Sequence, residues 1–168
     1  MSKILQSYEE NRNGKRNRCR KMIAKEKLNI LWSLEQTAEK YADRVAVSDV
    51  NQELTWKELV KKAQVIGAEL SKKVQPGNPV PVLLEKSSET LAVMFGIVYA
   101  GCFYVPVNPM NPTERLRKIM EKLDPEVIIS DEKGKEQLAA VGNGLENKVM
   151  GPEALKTATG TELSEEQY

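Results

Sequence analysis

The sixteen residues from Ala100 to Arg115, AGCFYVPVNPMNPTER, constrain the fold of this chain more than any other stretch. Gly101 suits the left-handed position just past a helix end. Phe103 to Val107 is an apolar run of strand length, interrupted by Pro106. Asn111 reads as a helix N-cap and Pro112 as the first helical residue, where a missing N–H costs nothing. Leu116, Ile119, Met120 and Leu123 continue along one helical face until Pro125 blocks them. A helix end, a strand and a new helix follow one another so closely that strands and helices must alternate. This predicts an α/β domain, a layered sheet with flanking helices.

The alternation extends in both directions. Upstream, Asn29 caps a helix whose apolar stripe is Leu31, Leu34, Ala38 and Tyr41. Val45 and Val47 alternate with Ala46 and Ser48, as in a half-buried strand, and Glu53-Leu54 returns as a short antiparallel partner. Thr55 and Glu58 have capping-box spacing. Leu59, Val60, Ala63, Ile66, Gly67 and Leu70 then share one face to about Lys72, before the Pro76-Gly77 turn. Pro79 to Glu85 reads as a strand, and Pro81, which cannot donate a ladder hydrogen bond, predicts an edge position or an irregular start. Ser87 or Ser88 caps the next helix with Glu89 near its positive end. Leu91 to Ala100 is apolar nearly all round, so that helix is buried on most sides. Downstream, Val127 to Ile129 is a strand core and Glu136 to Val141 a short helix closed by Gly142 and Gly144. The sequence thus divides into a basic arm (residues 1–28), an α/β body (29–150) and a linker or tail (151–168).

Composition limits the chemistry. The chain has 168 residues, a net charge of +1 and no histidine. One domain of this size buries about 70% of its unfolded surface. Without imidazole there is no Ser-His-Asp triad, Cys-His pair or His-ligated metal. Cys19 and Cys102 are too few for a disulfide framework or a zinc site, and a reducing cytosol is the expected setting. Leu91 to Ala100 is shorter than the about 20 residues that span a bilayer. No apolar stretch follows the N-terminal charges as in a secretory signal. Asn11 to Lys27 carries eight basic residues against one acid, Glu26, and no aromatic. Charge alone can hold phosphates, but stacking groups and reader motifs are missing. A solvated arm is the preferred reading, and nucleic acid and membrane are not expected partners.

Two short motifs, in order, carry a family resemblance. Leu54, Thr55, Trp56, Glu58 and Leu59 are similar to the first core motif of the adenylate-forming (AMP-binding) enzymes, commonly Leu-Thr-Tyr-x-Glu-Leu, with Trp56 in place of Tyr. About forty residues on, Ala100, Gly101, Tyr104, Val105, Pro106, Pro109, Pro112 and Arg115 resemble the second motif. There Tyr99 stands where Lys is frequent and Asn108 where Asp is common. Order and spacing agree from Leu31 to Asp131, 101 of 168 residues. The Tyr-Val-Pro and Pro-x-x-Arg form is most similar to amino-acid-activating members, the adenylation domains of nonribosomal peptide synthetases and the D-alanine–carrier protein ligases. Acyl-CoA synthetases are the runner-up.

Read from the residues, each position has a structural role. Gly101 ends a helix, and Pro106, Pro109 and Pro112 fix the chain path. Trp56 and Tyr104 pack in a core or interface, and Cys102 is a small buried apolar group. For Arg115 an ion pair with a nearby acid is preferred over steering an anion. The resemblance also gives these motifs mainly structural roles, so no catalytic, cofactor-binding or metal-binding residue is assigned. It implies the N-terminal subdomain of a ligase that adenylates a carboxylate, such as D-alanine, with ATP and Mg2+. That ligase passes the acyl group to a carrier-protein phosphopantetheine thiol or to CoA, and the rest of the parent enzyme is the segment's partner.

The phosphate loop that the resemblance implies, like Tyr-Thr-Ser-Gly-Thr-Thr-Gly-Lys-Pro-Lys-Gly, has no counterpart in the 168 residues. Gly134-Lys135 lacks the glycine run and the following Ser/Thr of a Walker motif. The expectation is therefore a first part of such an enzyme, ending before that loop, inactive alone and without a cofactor of its own. A non-catalytic α/β interaction module with a basic arm is the competing expectation. A dinucleotide binder is disfavoured, because no Gly-x-Gly-x-x-Gly follows a strand.

Overall fold

The computed structural model describes residues 29–155. The expectations for the basic arm and for residues 156–168 lie outside the described residues. Contacts divide the chain into two units after Gln36, and each is described by itself. The division falls within helix α1 (Ile30–Lys40). In the first unit Asn29 starts that helix, its Oδ1 accepting the Leu31 N–H at 3.0 Å. This satisfies one of the donors a helix start leaves free, and Leu31 and Leu34 are buried.

In the second unit, β1 (Val45–Ser48) and β2 (Glu53–Thr55) form an antiparallel hairpin. Asp49 shapes the turn, its carboxylate accepting the Asn51 and Gln52 N–H groups at 2.8 and 3.0 Å. β1 lacks the expected half-buried alternation: Val45 is exposed, and both Ala46 and Val47 are half-buried. The register shifts between Val45 and Val47, and such an irregularity breaks the period of two. Helix α2 (Trp56–Leu70) starts with the expected capping box. Thr55 Oγ1 accepts the Glu58 N–H at 3.3 Å, and Glu58 Oε2 accepts the Thr55 N–H at 2.8 Å.

A four-stranded parallel sheet follows, built from β3 (Pro79–Leu83), β4 (Phe103–Pro106), β5 (Ile128–Ser130) and β6 (Val149–Met150) in the order β4-β3-β5-β6. The connections are α3 (Ser88–Tyr99), α4 (Thr113–Leu123) and α5 (Glu132–Val141). The chain steps from β3 to β4 on one side, then back across β3 to β5 and β6. Right-handed crossovers place α3 on one face and α4 and α5 on the other. In agreement, α2 packs on α3, and α4 packs on α5. All three residues of β5 are buried, as parallel strands covered on both faces require. Leu83, Val107, Leu116, Met120, Ile128 and Leu138 belong to one core cluster, which Val141 and Leu145 complete.

The α2–α3 contact is made at two glycines. A Cβ on Gly67 would lie 2.5 Å from Tyr99 Cβ, and one on Gly96 would lie 2.6 Å from Ile66 Cβ. Neither position has room for a side chain. Past the end of α3, Gly101 has φ +73°, the left-handed conformation expected of it.

Other expectations need correction. Of the two alternatives for Pro81 the irregular start holds and the edge position does not, because β3 lies inside the sheet. Val107 N–H donates to Val82 O, so the even residues of β3 face β4, and Pro79 and Pro81 face the other flank. There β5 pairs only from Val82 onward, so the two missing donors fall where no strand stands. Asn111 does not cap α4. Pro112 holds the N-cap position at φ −57°, ψ 145°, without a side-chain cap bond, and the Asn111 N–H closes a turn onto Asn108 O. Helix α5 starts four residues early because Asp131 Oδ1 accepts the Gly134 N–H at 2.8 Å. β6 and two 3-10 turns, Leu145–Lys148 and Pro152–Leu155, carry no periodicity because each is shorter than a repeat can show. Among the described residues, no helix is long and apolar enough to cross a membrane.

Candidate functional site

The first motif sits where the hairpin meets α2. Leu54 and Leu59 are buried, Thr55 is the N-cap, Trp56 is half-buried and Glu58 is exposed. The hairpin turn next to it reaches the start of α3. Asp49 Oδ2 accepts the Ser88 N–H at 2.7 Å. Gln52 Nε2 donates to Ser88 Oγ at 2.8 Å and to Glu89 Oε2 at 3.3 Å. Lys62 Nζ of α2 reaches the same Glu89 oxygen at 2.9 Å. A carboxylate from a hairpin thus caps the positive end of a helix distant in sequence. In sequence, Asp49 and Gln52 read only as turn material. The carboxylate-to-serine pairing across 39 positions gives them this role, and no local pattern signals it.

The second motif lies past the other end of α3, whose twelve residues span about 18 Å. Gly101 closes the helix. Tyr104 and Pro106 are exposed on β4, Pro109 is half-buried in the loop, and Pro112 and Arg115 are exposed at the start of α4. No ion pair to Arg115 appears among the described residues, contrary to the preferred reading of that side chain; the nearby pair is Arg117–Glu114 at 3.5 Å. The two motifs lie at opposite ends of α3. A groove of about 410 Å³ takes Leu54 and Glu58 from the first. Leu54, Val65, Ile66 and Leu155 line it, with Glu58, Lys61, Lys62 and Glu89 as its charged rim.

The electrostatics are those of a framework. The Ser88 amide and hydroxyl, with the Asn51 and Gln52 amides, hold the Asp49 carboxyl well below the usual carboxylate range. The Thr55 amide and hydroxyl lower that of Glu58. Both carboxylates therefore stay ionised and cannot serve as general acids near neutral pH. Burial pushes the Cys102 thiol up, which keeps it protonated and unreactive. Among the described residues no three His, Cys, Asp or Glu side chains group as a metal site. The starts of α3 and α5 face the carboxyl ends of the strands, where a doubly wound sheet binds ligands. At α3 Ser87 accepts the Thr90 N–H and Asp49 the Ser88 N–H, and at α5 Asp131 accepts the Gly134 N–H. A carboxylate stands at each of these two starts, whereas the start of α4 carries no side-chain cap.

Comparison with known proteins is consistent with this arrangement. A family model described as AMP-binding enzyme matches residues 34–167. Bacitracin synthase 1 of Bacillus licheniformis is 36% identical over 107 residues, 63% of this chain and 2% of that protein. The AMPPNP-bound form of the nonribosomal peptide synthetase FmoA3 superposes with a TM-score of 0.66 at 26% identity, covering 78% of this chain and 14% of that one. The NpsA N-terminal subdomain of Klebsiella oxytoca shares the fold, with a TM-score of 0.67 at 20% identity, over 79% of this chain and 32% of that one. The chain thus spans about a third or less of each of these proteins.

Proposed function

The chain belongs to the AMP-binding enzyme family, and we propose that it forms the N-terminal part of a ligase that activates an amino acid as its adenylate and passes it to a carrier-protein thiol. The observation that carries this reading is the family match over residues 34–167 together with the 36% identity to bacitracin synthase 1. In this reading residues 29–150 are the supporting subdomain, 1–28 a basic arm and 151–168 a connection. Leu54, Thr55, Trp56, Glu58 and Leu59, with Gly101, Tyr104, Pro106, Pro109, Pro112 and Arg115, maintain its shape. D-alanine and other small amino acids are the proposed substrates, and the cytosol, where ATP is available, is the proposed compartment.

ATP and Mg2+ belong to the larger enzyme in this account. The described residues do not fit them, because the starts of α3 and α5 are capped by carboxylates and no metal ligands are grouped among them. No phosphate-loop string occurs in the sequence, so the 168 residues are proposed to be inactive alone. The test is ATP–pyrophosphate exchange by the enzyme that contains these residues together with a phosphate loop, across a panel of carboxylates. Exchange dependent on at least one small amino acid is expected. A response only to fatty or aryl acids would reassign it to the acyl-CoA synthetases, and no carboxylate-dependent exchange would refute the reading.

A further inference from the structure

Past the end of α5 the chain turns through Gly142, Asn143 and Gly144, with φ values of 87°, 64° and 68°. Glycine and asparagine are the residues that take positive φ most readily. Asn143 is exposed. Among the described residues its side chain makes no hydrogen bond, and the Gly144 N–H donates none. An uncharged amide and an unengaged backbone nitrogen thus stand next to each other on an accessible turn.

The pairing matters because asparagine is among the chemically labile side chains. Its Cγ is an electrophile, and the backbone nitrogen of the following residue is the nearest nucleophile along the chain. Gly144 has no side chain to shield that nitrogen. The other described asparagines differ. Proline follows Asn78, Asn108 and Asn111, and proline has no N–H to lose. Asn29 Oδ1 is engaged by the Leu31 N–H at 3.0 Å, and the Gln52 N–H after Asn51 is held by Asp49 at 3.0 Å. Asn147 lies within the 3-10 turn Leu145–Lys148 and is followed by a long side chain.

We propose that Asn143-Gly144 is a modification site at which the chain deamidates spontaneously. Gly144 N attacks Asn143 Cγ, and the new N–Cγ bond closes a cyclic imide. Asn143 Nδ2 leaves as ammonia, gaining from solvent the proton that Gly144 N gives up. Water then opens the ring at one of its two carbonyls. Opening at Cγ yields aspartate, and opening at the main-chain carbonyl yields isoaspartate, with the chain running through the former side chain. In the folded chain the Asn147 N–H closes onto Gly144 O at 3.1 Å. The reaction therefore waits for this turn to open, which exposed loops do at little cost. Its product places a new carboxylate on the wall of a cavity of about 200 Å³, beside Arg117, Glu121, Asp124 and Lys148. The C-terminal pole of α5 disfavours that charge, and Arg117 and Lys148 are the cations on the same wall that offset it. No step depends on the proposed activity.

Timed incubation of the 168-residue chain, followed by trypsin digestion and mass spectrometry, tests this. Cleavage after Lys135 and Lys148 releases the peptide 136–148, which carries Asn143 and Asn147 together. Fragment spectra should place the gain in mass from –NH2 to –OH at Asn143, as a mixture of aspartate and isoaspartate, with Asn147 unchanged. The gain should accumulate several-fold faster when the chain is unfolded in guanidinium chloride, where no turn has to open. Asn143→Gly suits the positive φ and should leave the peptide without any gain. A folded chain that stays unmodified at Asn143 while the unfolded chain reacts would overturn the proposal. Equal modification of Asn147, or a gain that persists in Asn143→Gly, would overturn it as well.

Discussion

Replacing Gly96 with alanine tests the packing of this fold most sharply, because two effects of opposite sign compete. An alanine in a helix interior is favoured over glycine by about 1 kcal/mol, so propensity alone predicts a stabilised protein. The added Cβ, however, would stand 2.6 Å from Ile66 Cβ and 3.0 Å from Ala63 O. Carbon contacts settle at about 3.5–4.0 Å, so α2 and α3 must part by roughly 1 Å. Neither neighbour can swing away, since one is a branch-point carbon on a buried side chain and the other is backbone. Overpacking of this kind costs about 1–3 kcal/mol, and contact with two fixed atoms of α2 puts Gly96 at the upper end. The net expectation is a loss of about 2 kcal/mol, or roughly 6–10 °C in Tm for a body of this size. Urea and thermal unfolding followed by circular dichroism measure it. Gly67→Ala meets Tyr99 Cβ at 2.5 Å and Gly96 O at 3.0 Å across the same contact. The double variant should therefore lose less than the sum of the two single losses, because the helices part only once. A Gly96→Ala protein as stable as the parent, or more so, would refute the close α2–α3 approach.

Further outcomes follow from the caps and the buried thiol. The Asp49 carboxyl ionises more readily folded than unfolded. Its contribution is therefore complete above the ordinary carboxylate value, about pH 4, and is lost as pH falls below it. The urea midpoint of the parent should drop more steeply below pH 4 than that of Asp49→Asn, and parallel curves would contradict the hairpin-to-helix cap. Thr55→Ala removes the side chain that accepts the Glu58 N–H and should cost about 1 kcal/mol, whereas Thr55→Ser should keep most of the stability. Alkylation of Cys102 at pH 8, followed by peptide mapping, should be slow in the folded chain and fast in urea. Immediate labelling without denaturant would show that the thiol is not enclosed.

Local signals in the sequence reach most of the fold. The Thr55–Glu58 box, the serine cap at Ser87 and the left-handed Gly101 each depend on residues within one turn of one another, and the structure shows all three. The features that are not legible depend on partners far along the chain. Pro81 reads as an edge signal because its missing donor is visible in sequence, while the short reach of β5 is not. Asp131 does not stand out as a cap because the Lys133-Gly134-Lys135 run hides the apolar periodicity of the first turn of α5. Val45 and Val47 promise an alternation that a register shift removes. At the candidate site the residues of both motifs are legible, and their separation by the length of α3 is not, since spacing in sequence does not give direction in space. The Asp49–Ser88 link is invisible for the same reason.

The central claim is that these residues supply the framework of an adenylating enzyme and none of its reacting groups. ATP–pyrophosphate exchange by the 168-residue chain alone, run with amino, fatty and aryl acids in turn, tests it most directly. The account predicts no exchange above background with any of them. Label incorporation that depends on a carboxylate would contradict it.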